Sequence, residues 1–267
     1  MRLCAGVGVS IFAKFMTTNA KDFNFKRIMG CERSCIASTI FLTTIPQIFK
    51  AIKDASDDTW RYGQGWYDVL YQENNDPNGY TVFKLSPGSP VICDFTNYIC
   101  SIKPRRLFYL GLAGTISKEI NIGDLVIPTA SCRGDGASYY HAPNYYPAVA
   151  SFSIYAKVKG ILSDLCSKQG VSNYDSITYT IDSLTAETED LITKLSDYGI
   201  AAIDMETSAF YTMASLNNVD ALAILIISDS IREDARFDKQ VRSAPTAKLD
   251  AWVSSMPQLV IRLSSLE

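Results

Sequence analysis

The segment Ala221-Leu222-Ala223-Ile224-Leu225-Ile226-Ile227 is apolar at every position and runs directly into Ser228-Asp229-Ser230. A strand with one wet face alternates apolar and polar residues. An unbroken apolar run of this length fits a strand covered on both faces, so the fold needs layers on either side of a sheet. Further strand candidates are Thr39–Thr43, Tyr80–Leu85, Leu107–Leu112, Asp124–Pro128 and Ile177–Ile181. Helix-period segments lie at Ile45–Ala55, Pro90–Ile102, Ser151–Gln169, Thr188–Tyr198, Glu206–Leu216 and Pro245–Ser265. In the last of these, Leu249, Trp252, Val253, Met256, Leu259, Val260 and Leu263 recur at helical spacing and give a core-facing stripe. Strands alternating with helices predict an α/β fold with a substantially parallel sheet, in which ligands gather at the carboxyl ends of the strands. Residues 1–37 read as an N-terminal extension, and residues 38–267 as one domain.

Composition narrows the functions. The chain has 267 residues and a formal net charge of -3, with no basic run beyond Lys103-Pro104-Arg105-Arg106. A nucleic-acid footprint needs a basic face, so a nucleic-acid partner is not expected. No stretch approaches the roughly 18 apolar residues of a membrane span, and Met1–Phe15 lacks the layout of a signal peptide. Seven cysteines make an odd set that a chain this long does not need as a disulfide framework, which points to a reducing, cytoplasmic compartment. Cys31 and Cys35 have a metal-like spacing, but no second pair follows and His141 is the only histidine, so no metal site is expected.

Four segments could carry chemistry. Asp229 leaves an apolar strand at its carboxyl end, where partial burial would raise its pKa and suit it to acid catalysis; a helix cap or loop aspartate is the alternative. Within Ile203-Asp204-Met205-Glu206, Glu206 could accept two hydrogen bonds from a vicinal diol, although Asp204 and Glu206 also suit the first turn of the helix that follows. Gly111-Leu112-Ala113-Gly114-Thr115 would let backbone approach a small ligand or anion, or would simply form a tight turn. Arg133-Gly134-Asp135-Gly136-Ala137-Ser138, followed by an aromatic stretch to Ala150, could stack on a planar ligand or pack an interface.

Taken together and in this order, the four segments resemble the nucleoside phosphorylase family, which includes purine nucleoside phosphorylases, uridine phosphorylases and several nucleosidases. The resemblance runs from about Thr39 to the C-terminus. Arg133–Ala150 is its most specific part and is similar to the uridine enzymes. Ile203-Asp204-Met205-Glu206 resembles the sugar-binding motif, and Ile227-Ser228-Asp229 resembles the purine-binding one. The resemblance implies a single-domain three-layer αβα fold with a central twisted mixed sheet. It also implies no cofactor, phosphate as co-substrate, and a homo-oligomer, dimer or hexamer. Asp229 would protonate or hydrogen-bond N7 of a purine. Arg242 would assist it, Met205 and Glu206 would hold the ribose, and Ser228, Leu184 and Thr185 would sit around the base. Gly111, Leu112, Ala113 and Gly114 would form the anion and sugar loop, with Arg61 lent across a subunit interface. Phosphorolysis, releasing base and ribose 1-phosphate, is the expected reaction, ahead of hydrolysis or binding without turnover.

The chain departs from the family where phosphate should bind. Ile48 stands in place of the arginine after the first strand, Tyr109 in place of the one before the glycine turn, and Leu112 in place of a hydroxyl residue. A charge-assisted contact to phosphate is worth roughly 1.5–3 kcal/mol, so losing these groups should weaken phosphate binding severely.

Overall fold

The computed structural model of the protein describes residues 25–72, 79–231 and 246–266. The chain order is β1 (Thr39–Thr43), α1 (Pro46–Asp54), β2 (Trp60–Gln64), β3 (Asp68–Gln72), β4 (Tyr80–Lys84), α2 (Ser89–Cys100), β5 (Arg106–Thr115), β6 (Leu125–Gly134), β7 (Ala148–Val149), α3 (Phe152–Gln169), β8 (Asn173–Ile181), α4 (Glu189–Asp197), β9 (Ile200–Asp204), α5 (Thr207–Leu216), β10 (Asp220–Ser230) and α6 (Thr246–Ser264). Every helix and strand read from the apolar pattern forms. The β2–β3 hairpin, β7 and β9 are additions to that reading.

The sheet is mixed and is organised around β5. Over Arg106–Leu110, β5 pairs in parallel with β1. Farther along, at Gly114 and Thr115, it leaves β1 and pairs antiparallel with β9. Its other edge runs parallel to β10 throughout. Strand β10 meets β6 antiparallel at Leu225 and Ile226, β6 is parallel to β8, and β8 is parallel to β9. Strands β5, β10, β6, β8 and β9 therefore close into a ring, while β1, β4, β3 and β2 extend from β5 as an open wing. The sheet forks where β5 exchanges β1 for β9.

Alternation along the strands separates two apolar layers. Leu222, Ile224 and Ile226 join a cluster with Trp252, Met256, Leu259 and Leu263 of α6 and with Val158 and Leu162 of α3. Ala221, Ala223, Leu225 and Ile227 join the opposite cluster, with Ile92 and Phe95 of α2 and Phe210 and Met213 of α5. Both faces of β10 are covered, as its unbroken apolar run requires, and each fully buried Leu or Ile side chain contributes about 1.5–3 kcal/mol. Phe25, Met29 and Ile36 also enter the second cluster. Where β10 and β6 share little ladder, the Tyr211 hydroxyl donates to Pro128 O at 2.7 Å and accepts from Ala223 N at 2.9 Å, bridging the two strands.

One packing contact fixes the end of β10. The fully buried Trp252 donates its Nε1 to Gly123 O at 2.7 Å. Gly123 N donates in turn to Ile227 O, and Ile227 N donates to Asp124 O, at 2.8 and 2.9 Å. The Asp124 carboxylate holds the turn from inside, accepting from Asn121 N and Ser172 N, each at 2.9 Å. Helix α6 thus clamps the backbone one residue before Ser228. Replacing Trp252 by Ala should lower unfolding free energy by about 3–5 kcal/mol, read as a shift in the urea midpoint; a loss below about 1 kcal/mol would show that the clamp carries little of the fold.

Candidate active site

A cavity of about 440 Å³ opens at the carboxyl ends of β1, β5, β9 and β10, beside the fork in the sheet. Thr44, Pro46 and Gln47 line it from the β1–α1 turn, and Leu112, Ala113 and Gly114 from β5. Met205 and Glu206 come from the β9–α5 junction, and Ser228, Asp229 and Ile231 from the end of β10. Leu184 and Glu187 edge it from the turn after β8. The location is where strand ends diverge and leave room for a ligand.

Glu206 is the buried acid of the site, with 4% of its surface exposed. Its Oε1 accepts from Gly88 N at 2.6 Å. Gly88 precedes α2, so the carboxylate also lies at the positive end of a helix dipole. The nearby Tyr109 hydroxyl favours its charged form. Burial, reinforced by the neighbouring Asp204 carboxylate, nevertheless pushes its pKa up to about 7. Asp204 also borders the cavity, but its oxygens are taken up by the protein. It accepts from Thr180 Oγ1 at 2.6 Å and Thr207 N at 2.9 Å, and also from the Thr207 hydroxyl. Burial raises its pKa to about 6 against those hydrogen bonds. The two acids of the motif therefore divide the roles left open by the sequence: Asp204 caps α5, and Glu206 faces the cavity. Met205 is pinned through its carbonyl, which accepts from Ser89 Oγ at 2.7 Å.

Asp229 reaches the cavity through a β-bulge. Ile227 is paired with Ala113 and Asp229 with Gly114, so Ser228 is an extra residue in β10. The Ser228 hydroxyl donates to Asp229 Oδ1 at 2.6 Å. The partial burial expected of Asp229 does not obtain: it is exposed, because the bulge turns it into the open mouth of the cavity. Gly114 is required by this arrangement. A Cβ there would lie 2.4 Å from Ile231 Cδ1 and 3.1 Å from Asp229 Oδ2.

The glycine segment otherwise works differently from expectation. Leu112, Ala113 and Gly114 line the cavity, but Gly111 does not. A Cβ on Gly111 would lie 2.5 Å from Cε1 of Tyr109, so this glycine makes room for a tyrosine ring rather than for a ligand. Tyr109 is fully buried, its hydroxyl lies 3.1 Å from Thr44 Oγ1, and burial raises its pKa well above the usual range for tyrosine.

The remaining predicted residues are distributed unevenly. Leu184, 64% exposed, lies at the cavity mouth; Thr185, on the same turn, bonds Ser183 Oγ at 2.9 Å and is not part of the lining. Arg61 lies on β2, at the far edge of the open wing, and donates to Asp58 O and Trp60 O at 2.8 and 3.1 Å. It does not line the cavity of its own chain. Arg242 lies outside the described residues. The Arg133 guanidinium donates to Ser138 Oγ at 2.9 Å and to the carbonyls of Ala142 at 3.0 Å and Tyr146 at 3.1 Å. Asp135 is buried and accepts from Ser138 N at 2.7 Å and from the Ser208 hydroxyl. This stretch builds a loop and braces α5, and none of it lines the cavity. Sequence reading set Thr44 and Gln47 in the turn that ends at Ile48 without giving them a role, and it passed over Glu187 and the Gly88 amide. Only Gly88 had a usable signal, as Pro87-Gly88-Ser89-Pro90 is a turn following a strand candidate.

Comparison with known proteins places this architecture. The phosphorylase superfamily model matches residues 89–263. The chain is 30% identical over 146 residues to DeoD-type purine nucleoside phosphorylases of Bacillus thuringiensis (strain Al Hakam) and Bacillus mycoides. That match spans 54% of this chain and 60% of the length of those relatives. The structure is similar to that of uridine phosphorylase from Vibrio fischeri ES114, with a TM-score of 0.73, 20% identity, and coverage of 90% of this chain and 95% of the other. It is also similar to AMP nucleosidase from Bacteroides thetaiotaomicron VPI-5482, with a TM-score of 0.67, 18% identity, and coverage of 90% and 94%. At these identities the structural likeness is one of fold.

The raised pKa of Glu206 gives a stability prediction. A buried carboxyl that holds its proton more tightly when folded costs stability as pH rises from its usual 4.5 to about 7. Glu206→Gln should keep the acceptor for Gly88 N and flatten the decline in stability across that window. Melting temperatures of the two proteins measured from about pH 4.5 to about pH 8 test this; parallel curves would mean that Glu206 carries no such cost.

Proposed function

The chain belongs to the phosphorylase superfamily, and on that premise we propose that it breaks the N-glycosidic bond of a nucleoside, with a purine preferred to uridine. The observation that carries this reading is that Glu206 and Asp229 meet in one cavity of about 440 Å³, a volume suited to a small ligand. Glycosidic cleavage leaves positive charge on the ribose and negative charge on the departing base. Asp229, exposed at the mouth, would bond or protonate the base at N7, with Arg242 assisting. Glu206 has lone pairs left for a vicinal diol after its bond to Gly88 N, and would hold the sugar. Met205 and Leu184 supply apolar surface against the sugar and the base. The 30% identity to purine nucleoside phosphorylases supports a purine.

Phosphorolysis to base and ribose 1-phosphate is the reaction the family implies. One observation favours water as the nucleophile instead. Among the described lining residues there are four acids, Glu187, Asp204, Glu206 and Asp229, and no lysine or arginine. A phosphate dianion there would meet like charge without the charge-assisted contacts that each contribute roughly 1.5–3 kcal/mol. Arg61, exposed on an edge strand, could contribute only to the cavity of a neighbouring copy, which supports a homo-oligomer if phosphate is used. The free thiols at Cys31, Cys35, Cys93, Cys100, Cys132 and Cys166 suit a reducing, cytoplasmic compartment.

Base release from a panel of purine and pyrimidine nucleosides, with and without phosphate, tests the reading. Purines should be cleaved in preference, and Asp229→Asn should slow purine release on the order of 10²-fold, the usual scale for a general acid. Unchanged turnover in that variant would remove Asp229 from the mechanism, and no release from any nucleoside would remove the function.

A further inference from the structure

The entry to α2 grips the Met205-Glu206 motif at two adjacent points. Gly88 N donates to Glu206 Oε1 at 2.6 Å, and the hydroxyl of the fully buried Ser89 donates to Met205 O at 2.7 Å. Two consecutive residues thus hold two others that lie 118 and 116 positions farther along the chain. The Gly88 backbone has φ 112° and ψ 146°, in the region that glycine alone adopts readily. Because φ is the rotation about the N–Cα bond, that same torsion sets the direction of the N–H that meets Glu206. A Cβ at position 88 would meet nothing closer than Pro90 Cδ at 3.8 Å, so the space is open and only the torsion demands glycine. On its other side the motif is tied to α5, where Asp204 accepts from Thr207 N at 2.9 Å.

We propose that Gly88 and Ser89 are positioning residues for sugar recognition: the Gly88 amide fixes the direction of the Glu206 carboxylate, and Ser89 fixes the backbone that carries it. The proposal rests on the glycosidic-cleavage reading and deepens it. With Oε1 held by the amide, the remaining lone pairs of the carboxylate face one place in the cavity, and a vicinal diol is met only if it lies there. Neither residue lines the cavity, whose wall at this point is Pro87. Both therefore act through the acid and not on the ligand.

The amide donates to the charged form of Glu206, which burial and the Asp204 carboxylate oppose. The other titratable groups around the acid are Tyr109 from β5 and, in the shared cavity, Asp229 and Glu187. Losing the amide would take a favourable contact from the ionised acid alone, so its pKa would rise further. A carboxyl raised in the folded state costs stability as pH climbs to its folded pKa, so that decline would continue above the value near 7 at which it ends in the wild type.

Melting curves and steady-state kinetics on the intact chain test the role together. The gap in melting temperature between wild type and Gly88→Ala should widen as pH rises above about 7. In Gly88→Ala, KM for a cleaved purine ribonucleoside should rise about tenfold, while KM for its 2′,3′-dideoxy analogue, which offers no diol, stays within about twofold. In a Glu206→Ala background the same substitution should leave the ribonucleoside KM within about twofold. Ser89→Ala, which only shortens a buried side chain, should reproduce the selective rise in KM and reports even if Gly88→Ala fails to fold. Equal losses on both nucleosides, or a gap in melting temperature that does not change with pH in a folded Gly88→Ala, would overturn the positioning role while leaving glycosidic cleavage standing. A protein that cleaves no nucleoside would end the cleavage reading, and the sugar-positioning role with it.

Discussion

The site depends on a single strand serving three neighbours. Strand β5 must satisfy β10 on one edge, and β1 and then β9 on the other. A backbone edge offers each hydrogen-bonding group once, so β1 must diverge before β9 can join. The divergence is what opens the cavity, because the turn after β1 and the turn after β9 are forced apart around the last residues of β5. Thr44 and Glu206 belong to those two turns. The Tyr109 hydroxyl, carried by β5 itself, lies 3.1 Å from Thr44 Oγ1 on the first of them.

Burial and charge then differentiate the two ends of the cavity. Glu206 is enclosed, held by a helix-terminal amide, and sits beside a second buried acid. Asp229 is open to solvent and bonded by its neighbouring serine. The cavity lining carries four acids and, among the described residues, no lysine or arginine.

The apolar pattern carried most of the scaffold. An unbroken run at Ala221–Ile227, or a heptad-like stripe ending at Leu263, has few physical solutions, and those elements formed as read. The β2–β3 hairpin escaped because its exposed, polar strand Trp60–Gln64 buries only Gly63. Strand β9 escaped because it is short and runs almost directly into α5. Within the site, Met205, Glu206, Ser228, Asp229 and Leu112–Gly114 were legible from their placement at strand ends. Gly111 was misassigned because a missing side chain does not say which neighbour needs the space. The Thr44–Tyr109 contact was not legible, since residues 65 apart in sequence meet only through the register of β1 on β5. Arg133 shows the opposite hazard: the most recognisable stretch of the sequence holds a loop together and is not part of the cavity lining.

The extra residue at Ser228 acts as a phase shifter. Strict alternation would send position 229 to the face of Ile227; pairing with Gly114 instead places it on the other face of the strand. The identity of the side chain offered to the cavity thus depends on a count of backbone units as well as on a codon. Gain or loss of one residue at this point would exchange aspartate for a neighbour without altering any other wall of the cavity. Relatives sharing this scaffold could therefore present different side chains to the cavity through a length change in β10 alone, a route that comparison of aligned substitutions would pass over.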